Sequence, residues 1–433
     1  MHPQLSFDQA PPIDVPFRFF LTAPLFGIAA GMLLAIVGGD MFASRWMPSA
    51  LAGTHLLVLG FMLQAMCGAL LQFLPVAAGA NVWRPRWVAA VVHPLSIVSA
   101  VLLVVAFLTR HAVLFMAAAN GLALALGFFV VVVGIALWRT PARGATVMAL
   151  RIAVLGLVAT LSLGILLATG LARGDDWPLI ALTDLHAAWG LGGWALILLA
   201  GVSYYVVPMF QLTPAYPTWL ARSFPLLLLA VLLGWSLPFD AAASARQQAA
   251  FIGGVAVSSV FAVSTLTLQQ RRRRKVSDAT FLFFRTAMLA LLAVFASVST
   301  FHLLPTLQND PRGAVWIGLL VIVGVFVSAI DGMLYKIVPF LNWLHLSNLC
   351  GLGTMPPTMH QMIPEKRMRG QFSLHLAALA TLLAAVWWPW LARPAGLLFA
   401  ASCAWLGYNL LGAVGVYRGF KARIRADVSG HQS

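Results

Sequence analysis

The sequence predicts an all-α integral membrane protein whose twelve transmembrane helices form three pseudo-symmetric four-helix units. Three observations support this prediction: a very apolar composition, apolar runs of helical length from end to end, and a motif that occurs three times. Of the 433 residues, 61% are hydrophobic and 9% are charged, whereas soluble domains carry roughly 25% charged residues. The composition therefore excludes a water-soluble globular protein.

Apolar runs long enough to cross a bilayer define the predicted helices. An α-helix needs about 20 apolar residues to span roughly 30 Å of hydrocarbon. Unpaired backbone groups are costly in lipid, and the runs are too long and uniform for barrel strands, so helices are expected. The runs lie at 16–38, 52–79, 87–109, 112–138, 146–172, 179–209, 221–238, 249–268, 279–303, 313–341, 371–392 and 394–417. They place a membrane domain over 16–420 between an N-terminal tail, 1–15, and a C-terminal tail, 421–433, both expected in the cytoplasm.

The first run is expected to stay in the membrane as an anchor. It follows a polar, proline-containing stretch, no basic region precedes it, and no small-residue cleavage signal follows it. A secretory signal peptide would carry both features.

The basic residues predict the orientation of the helices. With the N-terminus in the cytoplasm, 20 of the 27 Lys and Arg residues fall in cytoplasmic gaps, tails or helix ends, six fall in the opposite gaps, and one lies within a run. Basic residues are enriched in cytoplasmic loops, so both termini are expected in the cytoplasm. The protein is then a multi-pass protein of a bacterial-type inner membrane, with the lipid bilayer as its surroundings.

The net charge of +15 does not indicate nucleic-acid binding. No basic stripe is interleaved with exposed aromatic residues, and most basic residues occupy short gaps between apolar runs. The basic run at 271–275 is interpreted in the same way, as a topology anchor near anionic lipid.

One motif, G-x-x-[LY]-x-x-[LV]-P, recurs in the second, sixth and tenth runs. It reads GALLQFLP at 68–75, GVSYYVVP at 201–208 and GMLYKIVP at 332–339. The prolines are separated by 133 and 131 residues, so the motif returns on every fourth helix. Internal duplication is common in membrane proteins, and this spacing predicts three parallel four-helix units.

Histidines near one end of the predicted bundle are the candidate cofactor ligands. His55 and His186 lie 20 and 22 residues before the motif prolines of their helices, whereas the tenth helix has Ile317 and Leu319 in that stretch. His302 lies at the same predicted depth on the ninth helix. Imidazoles in membrane helices usually face the bundle interior, and imidazole is a common haem or metal ligand. A hydrogen-bonded contact between helices is the alternative for each of them.

Asp184 lies two residues before His186, and its position allows two interpretations. The carboxylate can orient the imidazole from behind, as carboxylates do for metal-ligating histidines. Alternatively, Asp184 lies at the water interface.

The tenth helix also carries Asp331, Tyr335 and Lys336, which are candidates for a proton-conducting or ion-binding path. Burying either charged residue alone in lipid is costly, so both should face protein or water. The alternatives are that Lys336 extends to the cytoplasm and that Asp331 pairs with Arg285 or Arg151.

Three stretches give the chain a resemblance to a known family. THLLVLGFMLQAMCGALLQFLP at 54–75, LHAAWGLGGWALILLAGVSYYVVP at 185–208 and IDGMLYKIVP at 330–339, on twelve predicted helices, resemble the catalytic subunit of the haem-copper oxidase superfamily. The similarity is greatest to its C-type cytochrome oxidase and nitric oxide reductase branch, and it extends to NnrS-like membrane proteins. The resemblance implies that His55 is a haem ligand and His186 a copper ligand, with a b-type haem and copper as cofactors.

The chain departs from the family pattern in two places. It reads GWSLPFD at 234–240, where the family has a histidine pair, and Ile317-Gly-Leu319, where the family has His-x-His. By the resemblance, a complete oxygen- or NO-reducing centre is therefore not expected, and His302 or His186 is the candidate partner of His55 on a single haem. No CxxCH haem-attachment motif occurs, so any electron donor is expected to be another polypeptide.

We therefore expect a haem- or metal-binding membrane protein tied to respiration or nitrogen-oxide metabolism. Two alternatives come from other functional classes. A proton-coupled secondary transporter accounts for the twelve helices, the internal duplication and the intramembrane Asp331 and Lys336. A non-catalytic assembly partner of a respiratory complex requires no chemistry of its own.

Overall fold

A computed structural model describes residues 10–237, 243–273, 276–304, 307, 310–350 and 355–430. Over these residues the chain forms helices and no strand, and twelve helices are long and apolar enough to cross a membrane. Helices α1 to α12 are Asp14–Phe42, Pro48–Ala78, Pro85–Thr109, Ala112–Arg139, Ala145–Arg173, Leu179–Gln211, Thr218–Trp235, Ala245–Gln270, Ala279–Leu303, Pro311–Ser347, Glu365–Trp387 and Pro389–Ile424. The prediction of an all-α membrane protein with twelve helices is confirmed, and the chain is a multi-pass membrane protein.

The helix ends differ most from the predicted limits at the C-terminus. The last helix continues to Gly430, beyond residue 420, where the sequence predicted the end of the membrane domain. The added residues include Lys421 and Arg423, which are good helix formers, and no proline or glycine interrupts the helix between them. Residues 1–9 and 431–433 of the two predicted tails, residues 238–240 of the 234–240 segment and residues 274–275 of the basic run lie outside the described residues.

Short connections make consecutive helices antiparallel, so the bundle has two faces. We call the face where α1 begins and α12 ends the terminal face, and the other the far face. His55 and His186 lie near the starts of α2 and α6, and His302 lies near the end of α9. All three histidines are therefore on the far-face side.

Three of the helices lie inside the bundle. About 78% of the most apolar window of α2 and 61% of those of α6 and α10 are buried, against at most 50% for any other membrane helix in the described chain. The other helices form a ring around them, in which α1 contacts α3 and the contacts continue through α4, α5, α7, α8, α9, α11 and α12 back to α1. The three motif-bearing helices are thus the ones most enclosed by protein.

Each inner helix contains a π-helical stretch: Leu56–Met62 in α2, Ala188–Leu196 in α6 and Leu320–Val327 in α10. The three stretches begin 19, 20 and 19 residues before the motif prolines of their helices. A π-helical turn widens the helix locally, and such turns are frequent at functional sites. The stretches of α2 and α10 contact each other.

The outer surface matches a lipid environment. Large apolar side chains such as Leu25 and Leu124 are more than half exposed. Exposed tryptophans mark both faces of the bundle: Trp87 and Trp138 on the terminal face, and Trp177 and Trp390 on the far face. Tryptophan is enriched at both membrane–water interfaces, so these residues bracket the apolar band.

A buried ion pair ties the start of α9 to α10 near the terminal face. Lys336 Nζ lies 2.8 Å from Asp278 Oδ2, and the two side chains are 12% and 9% exposed. Asp278 also caps α9, because its carboxylate accepts hydrogen bonds from the Phe281 amide and the Thr280 hydroxyl. Lys336 therefore neither extends freely to the cytoplasm nor contacts Asp331.

The surroundings of Asp278 lower the pKa of its carboxyl group. Burial is the largest single influence and acts to raise this pKa, but the hydrogen bond and charge of Lys336 and the Thr280 and Phe281 donors together outweigh it. A carboxyl group whose pKa is lower in the folded state than in the unfolded state stabilises the fold. This stabilisation is complete at pH values above the unfolded-state pKa, which is about 3.9 for Asp. This stabilisation is lost as the pH falls through the folded-state pKa.

Replacing Asp278 with alanine should destabilise the protein by about 3 kcal/mol or more, because it leaves the Lys336 ammonium buried without its partner. Thermal unfolding of the detergent-solubilised protein measures the effect. The native protein should lose stability below about pH 4, as Asp278 becomes protonated. Asp278→Ala should lose less stability over the same pH range.

Asp310→Ala is the matched control for this ion pair. Asp310 also precedes a membrane helix and pairs with a cation, Arg312, but the Arg312 side chain is 40% exposed. Exposed pairs contribute little, so the destabilisation should be clearly smaller than for Asp278→Ala. Equal losses would show that helix capping, rather than the buried pair, dominates.

Candidate functional site

His55 is the last residue of α2 before its π-helical stretch. Its Nδ1 donates a hydrogen bond to the Leu51 carbonyl at 2.8 Å, so the ring is fixed on its own helix. The Phe107 ring of α3 packs on the imidazole with 5.0 Å between ring centroids. The second nitrogen, Nε2, makes no hydrogen bond to the described part of the chain.

His186 occupies the equivalent place on α6, two residues before its π-helical stretch. Its Nδ1 donates to the Thr160 carbonyl of α5 at 3.1 Å, so this ring is fixed by a neighbouring helix. Here too, Nε2 has no hydrogen-bond partner among the described residues. Both imidazoles therefore have a defined tautomer with one nitrogen held by a backbone carbonyl.

Small residues on one face of α5 create the space for His186. Gly156, Thr160 and Gly164 lie four residues apart, so they share a face that packs against α6. A methyl group at Gly164 would lie 3.0 Å from His186 Cε1, and one at Gly156 would overlap the backbone of Gly193. Small residues at this spacing allow membrane helices to approach closely, and here they set the depth and orientation of the imidazole.

Both imidazoles lie near the far-face ends of inner helices, on α2 and α6. His55 is close enough to His186 for their charged forms to interact electrostatically, and both rings are partly buried. Two imidazoles with fixed Nδ1 atoms and free Nε2 atoms can supply two nitrogen ligands. In the described chain, no group of three or more His, Cys, Asp or Glu side chains is placed to hold a metal ion.

Asp184 pairs with Arg45, which lies in the connection between α1 and α2. The Arg45 guanidinium also stacks over the Trp46 ring, 4.8 Å from its centroid. The carboxylate is about 30% exposed, which agrees with the interface interpretation rather than a role behind the imidazole. The pair ties the far-face end of α6 to the start of α2, the two helices that carry His55 and His186.

His302 lies apart from these two histidines. Its Nδ1 is 3.4 Å from Gln248 Nε2 on α8, and no contact with His55 or His186 is found in the described structure. The structure thus brings together two of the three histidines that the sequence singled out.

A cavity of about 130 Å³ lies on the other side of α2. Thr54 and Leu57 of α2 and Gly318 and Leu319 of α10 line it, together with residues of α1, α11 and α12, but His55 does not. Its lining is mostly apolar, and Arg45 and Thr54 are its polar members. The His55 ring packs against Phe107 of α3 and does not line the space beside Gly318 and Leu319 of α10.

Asp331 belongs to a second polar cluster, enclosed by α10, α11 and α12. Its side chain is 2% exposed, and Oδ2 accepts a hydrogen bond of 3.1 Å from Gln371 Nε2. His375 Nδ1 lies 3.9 Å from the same oxygen, and His375 Nε2 lies 2.8 Å from Ser328 Oγ. The sequence did not pair Asp331 with His375, although Gln371 and His375 are polar residues four positions apart on one apolar helix.

The structure does not show the predicted ion pair of Asp331, and it places Tyr335 close to Asp331. Neither arginine proposed as a partner contacts Asp331, and Arg151 instead donates to the Leu137 carbonyl at 2.8 Å. Tyr335 lies one turn from Asp331, and its hydroxyl accepts a 2.8 Å hydrogen bond from Asn409 Nδ2 of α12. Tyr335 is therefore next to the cluster, and Lys336 is outside it.

In comparisons with known proteins, no protein-family model and no curated protein matches this chain.

Gly156→Ala should destabilise the protein by about 1–3 kcal/mol, because the added methyl group overlaps the α6 backbone and forces the helices apart. Thermal unfolding in detergent measures this. Gly134→Ala on α4 is the matched control, since nothing lies within 4 Å of the added carbon. Equal stability of the two variants would contradict the close α5–α6 contact.

Proposed function

We propose that the protein binds one haem or one copper ion through Nε2 of His55 and Nε2 of His186. The observation that supports this most directly is the shared hydrogen-bond pattern of the two rings, with Nδ1 on a backbone carbonyl and Nε2 free. Metal-ligating histidines almost always donate their second ring nitrogen in this way, which fixes the tautomer and orients the ring. Imidazole suits both iron and copper.

The residues present fit two ligand positions. His55 and His186 supply two nitrogens, and Asp184 is already engaged with Arg45. A bound haem or copper ion would supply one-electron redox chemistry. The chain's own contribution would be to hold two neutral imidazoles at a fixed separation in an apolar, water-poor interior.

We further propose that the chain consists of three related four-helix units, as in the haem-copper oxidase catalytic subunit that it resembles. The enclosed helices α2, α6 and α10 carry the repeated motif and a π-helical stretch at matching distances from the motif proline. Contacts between α4 and α5, α8 and α9, and α12 and α1 would be the three interfaces between units. The resemblance supports a role in respiration or nitrogen-oxide metabolism, in a bacterial-type inner membrane with both termini in the cytoplasm. Respiratory subunits or a separate electron donor would then be its partners.

The cofactor proposal predicts a haem absorption band or bound copper in the purified protein. His55→Ala and His186→Ala should each abolish the haem band or reduce copper to background, because each removes one of two ligands. Reduced-minus-oxidised absorption spectra together with metal analysis measure both cofactors. Native protein that is folded but contains neither iron nor copper, even after incubation with haemin or Cu(I), contradicts the proposal.

Two variants serve as controls for this experiment. Asp184→Asn should keep the cofactor, because Asp184 contacts Arg45 rather than His186. His302→Gln should also keep it, because His302 contacts Gln248. Loss of the haem band in His302→Gln alone would instead make His302 the partner of His55.

Proton-coupled secondary transport is the second candidate function, favoured by one observation. Asp331 is enclosed near the middle of α10 with no Lys or Arg contact among the described residues, and intramembrane acids of this kind commonly serve proton relays. Proton-dependent uptake by cofactor-free proteoliposomes that is lost in Asp331→Asn but kept in His55→Ala would support transport. A third candidate, a structural partner of a respiratory complex, would show co-purification with that complex in both variants.

A further inference from the structure

We propose that Asp331 and His375 form a proton-binding site that carries a single proton, either on Asp331 Oδ2 or on His375 Nδ1. The site lies within the bilayer between α10, α11 and α12. It stands independently of any cofactor at His55 and His186, because it shares no residue with that pair.

The two contacts of the Ser328 hydroxyl favour one tautomer of His375. Ser328 Oγ donates its one proton to the Val323 carbonyl at 3.2 Å, five residues back along the helix at the end of the π-helical stretch. Both contacts of the hydroxyl are hydrogen bonds only when His375 Nε2, 2.8 Å away, donates to it. With the proton on Nε2, Nδ1 of the neutral ring is a lone-pair acceptor.

In this tautomer, two hydrogen-bond acceptors face each other. Nδ1 of a neutral His375 and Oδ2 of an ionised Asp331 would face one another at 3.9 Å in a low-dielectric interior. An ionised carboxylate there without a counter-charge is costly. One added proton removes the conflict, either as a carboxylic acid facing the imidazole or as a carboxylate facing an imidazolium, and both arrangements are neutral overall.

The rest of the cluster is rich in acceptors. Asp331 Oδ1, Gln371 Oε1 and Asn409 Oδ1 are all buried without a hydrogen-bond partner. Gln371 uses its amide nitrogen on both Asp331 Oδ2 and Ser402 Oγ, at 3.1 and 3.0 Å, so it stabilises negative charge on Asp331. Buried oxygens without hydrogen-bond donors favour a positively charged species in the site. Because a carboxylate and an imidazole can both bind a proton, we infer that this species is a proton.

Few other ionisable groups face the pair. On α10 the neighbour is the Tyr335 hydroxyl, held by Asn409, and on α12 it is the Cys403 thiol, which lies close enough to Asp331 for an electrostatic interaction. From α9, the uncharged Phe283 ring packs 5.4 Å from the His375 ring. The nearby cation Lys336 is bound to Asp278, so the proton is the available counter-charge.

The protonation state can be measured directly on the full-length protein in lipid nanodiscs. Infrared spectra with isotope-labelled aspartate report the protonated carboxyl groups, and nitrogen NMR with labelled histidine reports the N–H count of each ring. At neutral pH we expect one proton in total over Asp331 Oδ2 and His375 Nδ1. His375→Gln should leave Asp331 fully protonated, and Asp331→Asn should leave His375 neutral and remove one aspartate signal.

Asp310→Asn and His345→Gln are the controls and should leave the Asp331 and His375 signals unchanged. An ionised Asp331 next to a neutral His375 in the native protein, or two protons shared by the pair, would overturn the proposal. So would loss of the proton on adding sodium chloride but not choline chloride, because the site would then be a sodium site. The native measurement decides these outcomes even if a variant fails to fold.

Discussion

The absence of water from the bilayer core is the constraint on which the rest of the structure depends. Backbone groups are satisfied within helices, and polar side chains must find partners inside the bundle or at its faces. The ring of outer helices accordingly presents apolar residues to lipid. The most enclosed helices, α2, α6 and α10, carry His55, His186 and Asp331, where protein rather than lipid surrounds each group.

The π-helical stretches concentrate irregular backbone at these same positions. A widened turn leaves some carbonyl oxygens without their usual amide donor and changes which residues face the bundle interior. At the end of the α10 stretch, the Val323 carbonyl accepts from both the amide and the hydroxyl of Ser328, and the same hydroxyl lies 2.8 Å from His375 Nε2. The π-helical stretch of α10 and the polar cluster are therefore parts of one local arrangement.

The sequence was sufficient for the helices but not for the contacts of the polar side chains. Hydropathy located all twelve helices, and the motif spacing identified the three that are most enclosed. The pairing of Asp331 with His375 was not predictable, because it depends on how α11 is rotated against α10, and both helices are apolar over most of their surface. For the same reason, the sequence could not decide between the two interpretations of Asp184. It also did not predict that Asp278 pairs with Lys336. Such contacts depend on tertiary geometry that hydrophobic periodicity does not encode.

The two polar sites lie in different parts of the bundle but are joined by continuous packing. His55 directly precedes the π-helical stretch of α2, and this stretch contacts that of α10, which ends at the residue before Ser328. Ser328 in turn holds His375. The contact between the two π-helical stretches therefore joins the surroundings of His55 to those of His375.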